Sequence, residues 1–410
     1  MGDRMTAKVA IIGAGPSGCY TAQALLKMDP DLEVDVIDAQ PTPFGLVRYG
    51  VAADHQGTKG VARQFARIFI RQKARFFGNI RIGEQVTLGE LQDAYDAVVI
   101  AAGLSGDRRL GIPGDDLPGI IGSGSLTRAL YEHPDAAALP ELGQDPVIIG
   151  TGNVAIDVLR LLAKTPEELR GSDLGDGPTA WLAAHKFRKI TVVGRSSAGA
   201  ARFSPVLLKE LADLSAIDVS VMHPGSANDE EGKRRLEALA ELVAATSGPV
   251  QVDFHFDSCP IAIEDVSTGL KLDVETPEGR QSLLASSIIT AIGFTSDGSL
   301  DRDTMLDSAQ DRMRPENRTY TIGWFRNGPV GAIPKCREDA QALAQRVMSE
   351  LQPDPDRIGR NLFETVPDIV GFDHWQRVDA LELSTAPDDR CRRKIFHKAE
   401  LLRPSNLQDA

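Results

Sequence analysis

The sequence has few cysteines, and none of them lies close enough to another to form a local pair. Its 410 residues contain four, at Cys19, Cys259, Cys336 and Cys391. The absence of a C-x-x-C pair excludes the local dithiol of flavin disulfide reductases and leaves no clustered ligands for zinc or an iron–sulfur centre. This cysteine usage also argues against a disulfide framework and favours a cytoplasmic protein.

Long apolar runs and a basic charge excess are missing as well. No run of 18 apolar residues is present, so no membrane insertion is expected. The polar residues 1–7 lead directly to the first predicted strand, without the pattern of a signal or transit peptide. The net charge of −13 argues against nucleic acid as the main partner. The length predicts two or three domains, and a hydrophobic content of 42% is typical of globular proteins.

A glycine-rich turn near the N-terminus carries the strongest signal. The apolar residues 9–12 predict a short buried strand, and GAGPSG at 13–18 follows with the G-x-G-x-x-G spacing. A helical pattern continues over 19–28. Asp38 ends the next apolar run, 20 residues beyond Gly18, where an acidic side chain would accept hydrogen bonds from a ribose. We interpret the segment as a dinucleotide-binding unit rather than a purely structural turn.

A second turn of the same kind follows at residues 147–155. The strand-like VII is followed by GTGNVA, which matches G-x-G-x-x-A, and a helical pattern continues. The next predicted strand ends in Arg195, and an arginine there accommodates the 2′-phosphate of NADP, although it could also be a simple surface charge. Residues 164–188 are predicted to be an insertion. Two such turns indicate two dinucleotides, so that a nicotinamide can meet a flavin.

The other segments are predicted from composition and periodicity. They are a structured loop without helix at 40–55, one amphipathic helix at 57–77, a helix at 228–245, a small antiparallel section with a closing strand at 250–292, a glycine turn at 323–333 followed by a helix from about 338 to 351, and a C-terminal region of helix and loop with no recognisable chemistry.

Several of these segments together resemble a known family. They are QPTPFGLVRYGVAADH at 40–55, GLSGDRRLGIPGDDLPGI at 103–120, GTGNVAIDVLRLLA at 150–163, VVGR at 192–195 and GWFRNGPVGAI at 323–333. The chain resembles the ferredoxin–NADP⁺ reductases of the adrenodoxin reductase type. The resemblance implies a glutathione-reductase-like α/β flavoprotein with two Rossmann-like domains. An NADP-binding domain at 105–293 would be inserted into an FAD-binding domain made of 1–104 and 294–410.

The function implied by the resemblance is NADPH-dependent reduction of a ferredoxin, which would feed an oxygenase or another redox enzyme. FAD would take a hydride and release single electrons. The alternatives are an NAD(P)H:quinone or dye reductase, an electron-feeding subunit similar to the small subunit of glutamate synthase, and a non-catalytic flavin-binding sensor. The protein would be a monomer or weak dimer. The identity of the ferredoxin and the physiological direction of electron flow stay open.

The resemblance also implies roles for particular residues. The FAD contacts would be Gly13, Gly15, Pro16, Ser17, Asp38, Gly45, Leu46, Trp324, Gly331 and Ile333, whereas Gly152, Asn153, Val154 and Arg195 would hold NADP(H). His55 and Glu210 would lie near the nicotinamide. Arg234 and Arg235 would dock the ferredoxin.

The chain departs from the family pattern at several positions. Ala53 replaces a proline, Asn327 replaces an arginine, and Ser196 stands where a second arginine follows the first. Each charge-assisted contact to a phosphate contributes about 1.5–3 kcal/mol, so the loss of one leaves NAD(H) possible as a substrate.

Overall fold

The computed structural model describes residues 6–403 apart from 297, 299, 308, 317 and 332. The chain divides into two units. The first unit comprises the residues up to Gly106, the short segment His133–Asp135 and the residues from Phe294 onwards. The second comprises Asp107–Glu132 and Ala136–Gly293. The sequence predicts domain boundaries between residues 104 and 105 and between residues 293 and 294. In the structure, the corresponding boundaries lie between residues 106 and 107 and between residues 293 and 294.

Strands and helices are interspersed along the whole of the described chain. The strands are β1 (Lys8–Ile12), β2 (Glu33–Asp38), β3 (Arg75–Gly78), β4 (Ala97–Ile100), β5 (Gly106–Asp107), β6 (Ile120–Gly122), β7 (Pro146–Ile149), β8 (Lys189–Val193), β9 (Ile217–Met222), β10 (Val250–His255), β11 (Cys259–Val266), β12 (Gly269–Thr276), β13 (Gly279–Ala285), β14 (Ser287–Thr290), β15 (Phe294–Thr295) and β16 (Thr319–Thr321). The α-helices are α1 (Pro16–Met28), α2 (Leu46–Tyr49), α3 (Gln56–Lys59), α4 (Ala62–Arg71), α5 (Leu88–Ala94), α6 (Ser123–Leu130), α7 (Asn153–Ala163), α8 (Asp176–Ala184), α9 (Pro205–Ala212), α10 (Glu230–Ala245), α11 (Arg302–Asp307), α12 (Gly323–Asn327), α13 (Ile333–Glu350), α14 (Phe372–Ser384) and α15 (Lys398–Leu401).

Each unit is built on a parallel sheet. In the described part of the first unit the strand order is β16-β4-β1-β2-β3, and in the second it is β6-β14-β7-β8-β10-β9. Strands β11, β12 and β13 form a separate antiparallel sheet. The α/β class with two Rossmann-like units is confirmed. The prediction for 250–292 was partly wrong, because β10 pairs in parallel with β8 and β9.

The strands of the first sheet are apolar because helices cover both of their faces. Ile11 and Val99 lie in one core cluster with Leu25 of α1 and Leu343 of α13. Ile12 and Val98 point to the other face, where Leu91 of α5 packs. No helix of the described residues is long and apolar enough to cross a membrane.

Three local predictions differ from the structure. The single helix predicted over 57–77 is divided into α3 and α4, and its last residues form β3, which pairs with β2. The loop at 40–55 contains the one-turn helix α2. Helix α13 begins at Ile333, about five residues before the predicted start, and Pro334 in its first turn is a signal for a helix start.

Candidate dinucleotide and electron-transfer site

The first glycine turn leaves one of its three glycines open to a ligand. Gly13 has φ of +107°, and a Cβ there would lie 2.5 Å from the carbonyl oxygen of Ala101. A Cβ on Gly18 would overlap the carbonyl oxygen of Gly13, so helix α1 packs directly on the turn. Nothing lies within 4 Å of a Cβ built on Gly15. Two glycines therefore serve packing, and Gly15 is free for the close approach of a pyrophosphate.

Asp38 lies at the carboxyl end of β2, beside this turn. Its Oδ2 accepts a hydrogen bond from the Ala14 N–H at 2.7 Å, and its Oδ1 accepts one from the Gln40 N–H at 2.8 Å. Burial raises the pKa of Asp38 to about 6, against the opposing effect of the two backbone hydrogen bonds. The position is the one expected for a ribose acceptor.

The loop at 40–55 folds back onto the glycine turn. The Phe44 N–H donates to the carbonyl oxygen of Ala14 at 2.9 Å. Gly45 has φ of +47°, and a Cβ there would lie 3.1 Å from the Cα of Gly15. Leu46 follows as the first residue of α2 and is 40% exposed. The structure thus brings Gly45 against the open Gly15, and Leu46 is the next residue in the chain.

A buried ion cluster connects this loop to the C-terminal region, and no sequence pattern indicates it. Arg48 of α2 makes a two-pronged contact with Glu382 of α14, at 2.9 and 2.6 Å. Arg392 adds a contact of 2.7 Å to the same carboxylate, and the Ile395 N–H donates to it at 2.8 Å. Burial by itself would raise the pKa of Glu382, but the charges of Arg48 and Arg392, together with hydrogen bonds from Arg48 and the Ile395 N–H, lower it.

The residues expected around the flavin ring, apart from Leu46, lie in α12 and around the start of α13. A Cβ on Gly323 would overlap the Ser17 hydroxyl, so these two residues are in direct contact. Trp324 is half-buried and stacks on Phe294, with ring centroids 5.7 Å apart. Gly331 has φ of +93°. Ile333 packs against the core as the first residue of α13, whose first N–H groups have no partner within the helix.

The second glycine turn repeats the geometry of the first. Gly150 has φ of +129°, and a Cβ there would overlap the carbonyl oxygen of Ala291. A Cβ on Gly152 has nothing within 4 Å. Ala155 takes the place of the third glycine and is fully buried. As in the first unit, the first glycine packs against the residue that follows a neighbouring strand, and the second glycine is open.

The residues expected to hold NADP(H) surround this second turn. Asn153 and Val154 begin α7, where backbone N–H groups can bind an anion. The Asn153 Oδ1 accepts a hydrogen bond from the Ser204 N–H at 2.8 Å, so this side-chain oxygen holds a neighbouring loop. Arg195 follows β8 and is exposed. The described residues provide no ion pair or hydrogen bond to its guanidinium.

His55 and Glu210 belong to different units. His55 is half-buried and precedes α3, and its carbonyl oxygen accepts a hydrogen bond from the Lys59 N–H at 3.1 Å. Glu210 of α9 contacts the buried Arg160 of α7, with 3.5 Å between Oε2 and Nε. This contact gives Glu210 a structural role within the second unit that the sequence did not indicate.

The two arginines expected to dock a ferredoxin differ in their surroundings. Arg234 is exposed, and its side chain has no ion pair or hydrogen bond to any residue that the structure describes. Arg235 is largely buried, and its guanidinium donates to the carbonyl oxygens of Gly199 at 2.9 Å and Phe203 at 3.3 Å and pairs with Glu231. Arg235 therefore fixes the loop that contains residues 199–203, and only Arg234 presents a free charge.

The residues at both turns fit dinucleotides. Each unit combines an open glycine, helix N–H groups and a polar side chain at the end of the second strand, which are the elements that bind pyrophosphate and ribose. A cavity of about 920 Å³ lies elsewhere, at the amino ends of β1, β2 and β3. No group of three or more potential metal ligands occurs in the described part of the chain.

Comparison with known proteins places the chain in a family. The family described as pyridine nucleotide-disulphide oxidoreductase matches residues 7–307. Similar proteins include cindoxin reductase of Citrobacter braakii, 39% identical over 96% of this chain and 90% of the relative, and NADPH-ferredoxin reductase FprA of Mycobacterium tuberculosis, 32% identical over 96% and 98%. The mitochondrial NADPH:adrenodoxin oxidoreductase of Arabidopsis thaliana is 30% identical over 91% and 90%.

A solved structure of one of these relatives also matches the fold of this chain. The structure of Mycobacterium tuberculosis FprA in complex with NADPH matches with a TM-score of 0.88 and 30% identity, covering 97% of this chain and 99% of that one. The resemblance inferred from the loop at 40–55 and the second glycine turn is confirmed. The chain belongs to the pyridine nucleotide-disulphide oxidoreductase family and, within it, to the ferredoxin–NADP⁺ reductases of the adrenodoxin reductase type.

Proposed function

We propose that this chain is an NADPH-dependent reductase that carries FAD and passes electrons to a ferredoxin-type iron–sulfur protein. The observation that carries the proposal is the repeated turn geometry: in each G-x-G turn, at the carboxyl end of a parallel sheet, the second glycine, Gly15 or Gly152, is open to a ligand. The first unit would hold FAD and the second NADP(H). The names of the relatives support an iron–sulfur acceptor over a quinone or dye.

In the first unit, the chain's residues would bind and orient the flavin. When bound, FAD supplies the step between a two-electron donor and a one-electron acceptor. Gly15 leaves room for the pyrophosphate, and the ionised Asp38 accepts hydrogen bonds from ribose hydroxyls. Gly331 and the start of α13 at Ile333 would offer backbone N–H groups to the electron-rich edge of the flavin. Pro16, Ser17, Gly45, Leu46 and Trp324 would complete the contacts.

In the second unit, the binding groups are mainly backbone atoms and one cation. Gly152 and the first N–H groups of α7, at Asn153 and Val154, would hold the pyrophosphate. Arg195 would bind the 2′-phosphate with a guanidinium that has no other partner among the described residues. His55 would help to place the nicotinamide. A similar role for Glu210 would be additional to its contact with Arg160.

Anaerobic reduction by NADPH and by NADH, followed through flavin absorbance in a stopped-flow instrument, tests the first half of the proposal. We expect rapid bleaching by NADPH at lower concentrations than by NADH, because only NADPH engages Arg195. Arg195→Gln should remove the difference, whereas Arg170→Gln, at another exposed arginine of the same unit, should keep it. If neither nucleotide bleaches the flavin, the proposed function is wrong.

The acceptor is tested separately with the pre-reduced enzyme. We expect fast, salt-sensitive reduction of a ferredoxin and slow reduction of a quinone. Fast quinone turnover with no ferredoxin reaction would favour the quinone reductase instead. Cindoxin, the acceptor in the name of one relative, belongs in the same comparison. Cytoplasmic location and a monomeric or weakly dimeric state stay predictions.

A further inference from the structure

The loop after β8 runs directly beside the second glycine turn. The Arg202 N–H donates to the carbonyl oxygen of Thr151 at 3.1 Å, and Arg202 forms an isolated parallel bridge with Gly152. Two residues later, the Ser204 N–H donates to the Asn153 side chain at 2.8 Å. The backbone at residue 202 is therefore held against the open glycine of the turn.

The same loop is fixed on its other side. The Arg235 guanidinium donates to the carbonyl oxygens of Gly199 and Phe203, which lie on either side of residue 202. Ala201 and Phe203 are 2% and 1% exposed. Residue 202 is the exposed position between two buried ones, and its backbone has little freedom to move.

The Arg202 side chain is a cation without a protein partner. It is exposed, and no residue in the described ranges gives it a hydrogen bond or an ion pair. A guanidinium carries five N–H donors in a fork that matches phosphate oxygens. In a chain with a net charge of −13, an unpaired cation held beside an anion-binding turn lowers the local electrostatic barrier to an anionic dinucleotide.

We propose that Arg202 binds the pyrophosphate of the nicotinamide dinucleotide at the Gly152 turn, a contact that supplements the backbone N–H groups. The proposal rests on the proposed function of the second unit as the NAD(P)(H) site. Under this proposal, two arginines bind different groups of the dinucleotide. Arg195 recognises the 2′-phosphate and sets the preference for NADPH. Arg202 strengthens the binding of both NADPH and NADH, and so compensates for the affinity lost where Ser196 replaces the second arginine.

Calorimetric titration of the oxidised flavoprotein with NADP⁺, NAD⁺ and 2′-AMP separates the two roles. NAD⁺ has the pyrophosphate without the 2′-phosphate, and 2′-AMP has the 2′-phosphate without the pyrophosphate. For Arg202→Gln we expect NADP⁺ and NAD⁺ to bind about tenfold more weakly, with 2′-AMP unchanged. For Arg195→Gln we expect weaker NADP⁺ and 2′-AMP and unchanged NAD⁺. Arg170→Gln is the control for a lost surface charge.

Two results would overturn the assignment of Arg202. Unchanged binding of all three ligands to Arg202→Gln would mean that the side chain makes no contact, and a loss confined to NADP⁺ and 2′-AMP would place it at the 2′-phosphate. Partial recovery by Arg202→Lys would support a charge contact. If the wild-type protein binds none of the ligands, the proposed function itself fails, and this outcome is distinct from a failure of Arg202 alone.

Discussion

The glycines within each G-x-G turn have different surroundings, although the sequence motif does not distinguish them. Gly150 has a positive φ and lies against Ala291, whereas Gly152 faces open space. We predict that Gly150→Ala destabilises the protein by about 1–3 kcal/mol, because alanine is strained at this φ and its Cβ overlaps a carbonyl oxygen. Gly152→Ala should fold normally and bind NADP⁺ more weakly. Urea unfolding and NADP⁺ titration measure the two effects, and equal stability of the two variants would contradict the distinction.

The carboxyl group of Asp38 makes FAD binding depend on pH in an accessible range. Burial raises its pKa to about 6, and only the ionised carboxylate can accept hydrogen bonds both from the two backbone N–H groups and from a ribose hydroxyl. A raised carboxyl pKa favours the protonated form as the pH falls through 6. We therefore predict that FAD affinity falls by up to about tenfold per pH unit below 6, whereas an ordinary aspartate would delay this loss to about pH 4.

The fluorescence of flavin released from the protein, measured between pH 5 and 8, reports how FAD affinity depends on pH. Asp38→Asn should bind FAD more weakly at pH 8 and lose the step near pH 6. Asp31→Asn, at an exposed position of the same unit, should keep the wild-type profile. A step that persists in Asp38→Asn would assign the titration to another group.

At the level of elements, the cluster of Arg48, Glu382 and Arg392 holds α2 and the loop at 40–55 on α14. The Glu382 side chain is fully buried, and that of Arg48 is 5% exposed. We predict that Glu382→Gln costs about 3–5 kcal/mol of unfolding free energy, because it leaves a buried arginine without its counter-charge. Loss of FAD should accompany this change, since the same loop lies on the Gly15 turn.

The control for this prediction is Asp379→Asn, which removes a partner of Arg392 at a site whose side chain is 35% exposed. We expect it to cost less than about 1 kcal/mol. Chemical unfolding and the flavin content of the purified variants report the two effects. Similar costs for both variants would mean that burial of the cluster contributes little.

The elements that could be predicted from sequence are those whose determinants are local. A short apolar strand, a glycine turn and a helix follow one another within 30 residues, so both dinucleotide units were predictable. The contact between Arg48 and Glu382 joins residues 334 positions apart, and no local pattern indicates it. Residues 75–77 were predicted as the end of a helix, whereas they belong to β3, whose pairing with β2 depends on the tertiary fold. Arg235 was predicted as a docking residue from the family resemblance, and no local pattern indicated its contacts with residues 199–203.

For the whole molecule, the net charge of −13 opposes the approach of an acidic ferredoxin. A local positive site must compensate, and Arg234 is the exposed, unpaired member of the predicted docking pair within the described chain. We predict that Arg234→Glu lowers the second-order rate of ferredoxin reduction several-fold at low salt and that the difference disappears at high salt. Stopped-flow reduction of a ferredoxin over a range of ionic strengths measures this.

Arg170→Glu is the control for this prediction. It changes the net charge by the same amount, −2, at another exposed site of the second unit. If repulsion by the whole molecule governed the encounter, the two variants would slow the reaction equally. If a local site governs it, only Arg234→Glu should reduce the slope against ionic strength, because screening acts within about 10 Å at 0.1 M salt. Equal effects would therefore reject Arg234 as the docking residue and place the ferredoxin site elsewhere on the molecule.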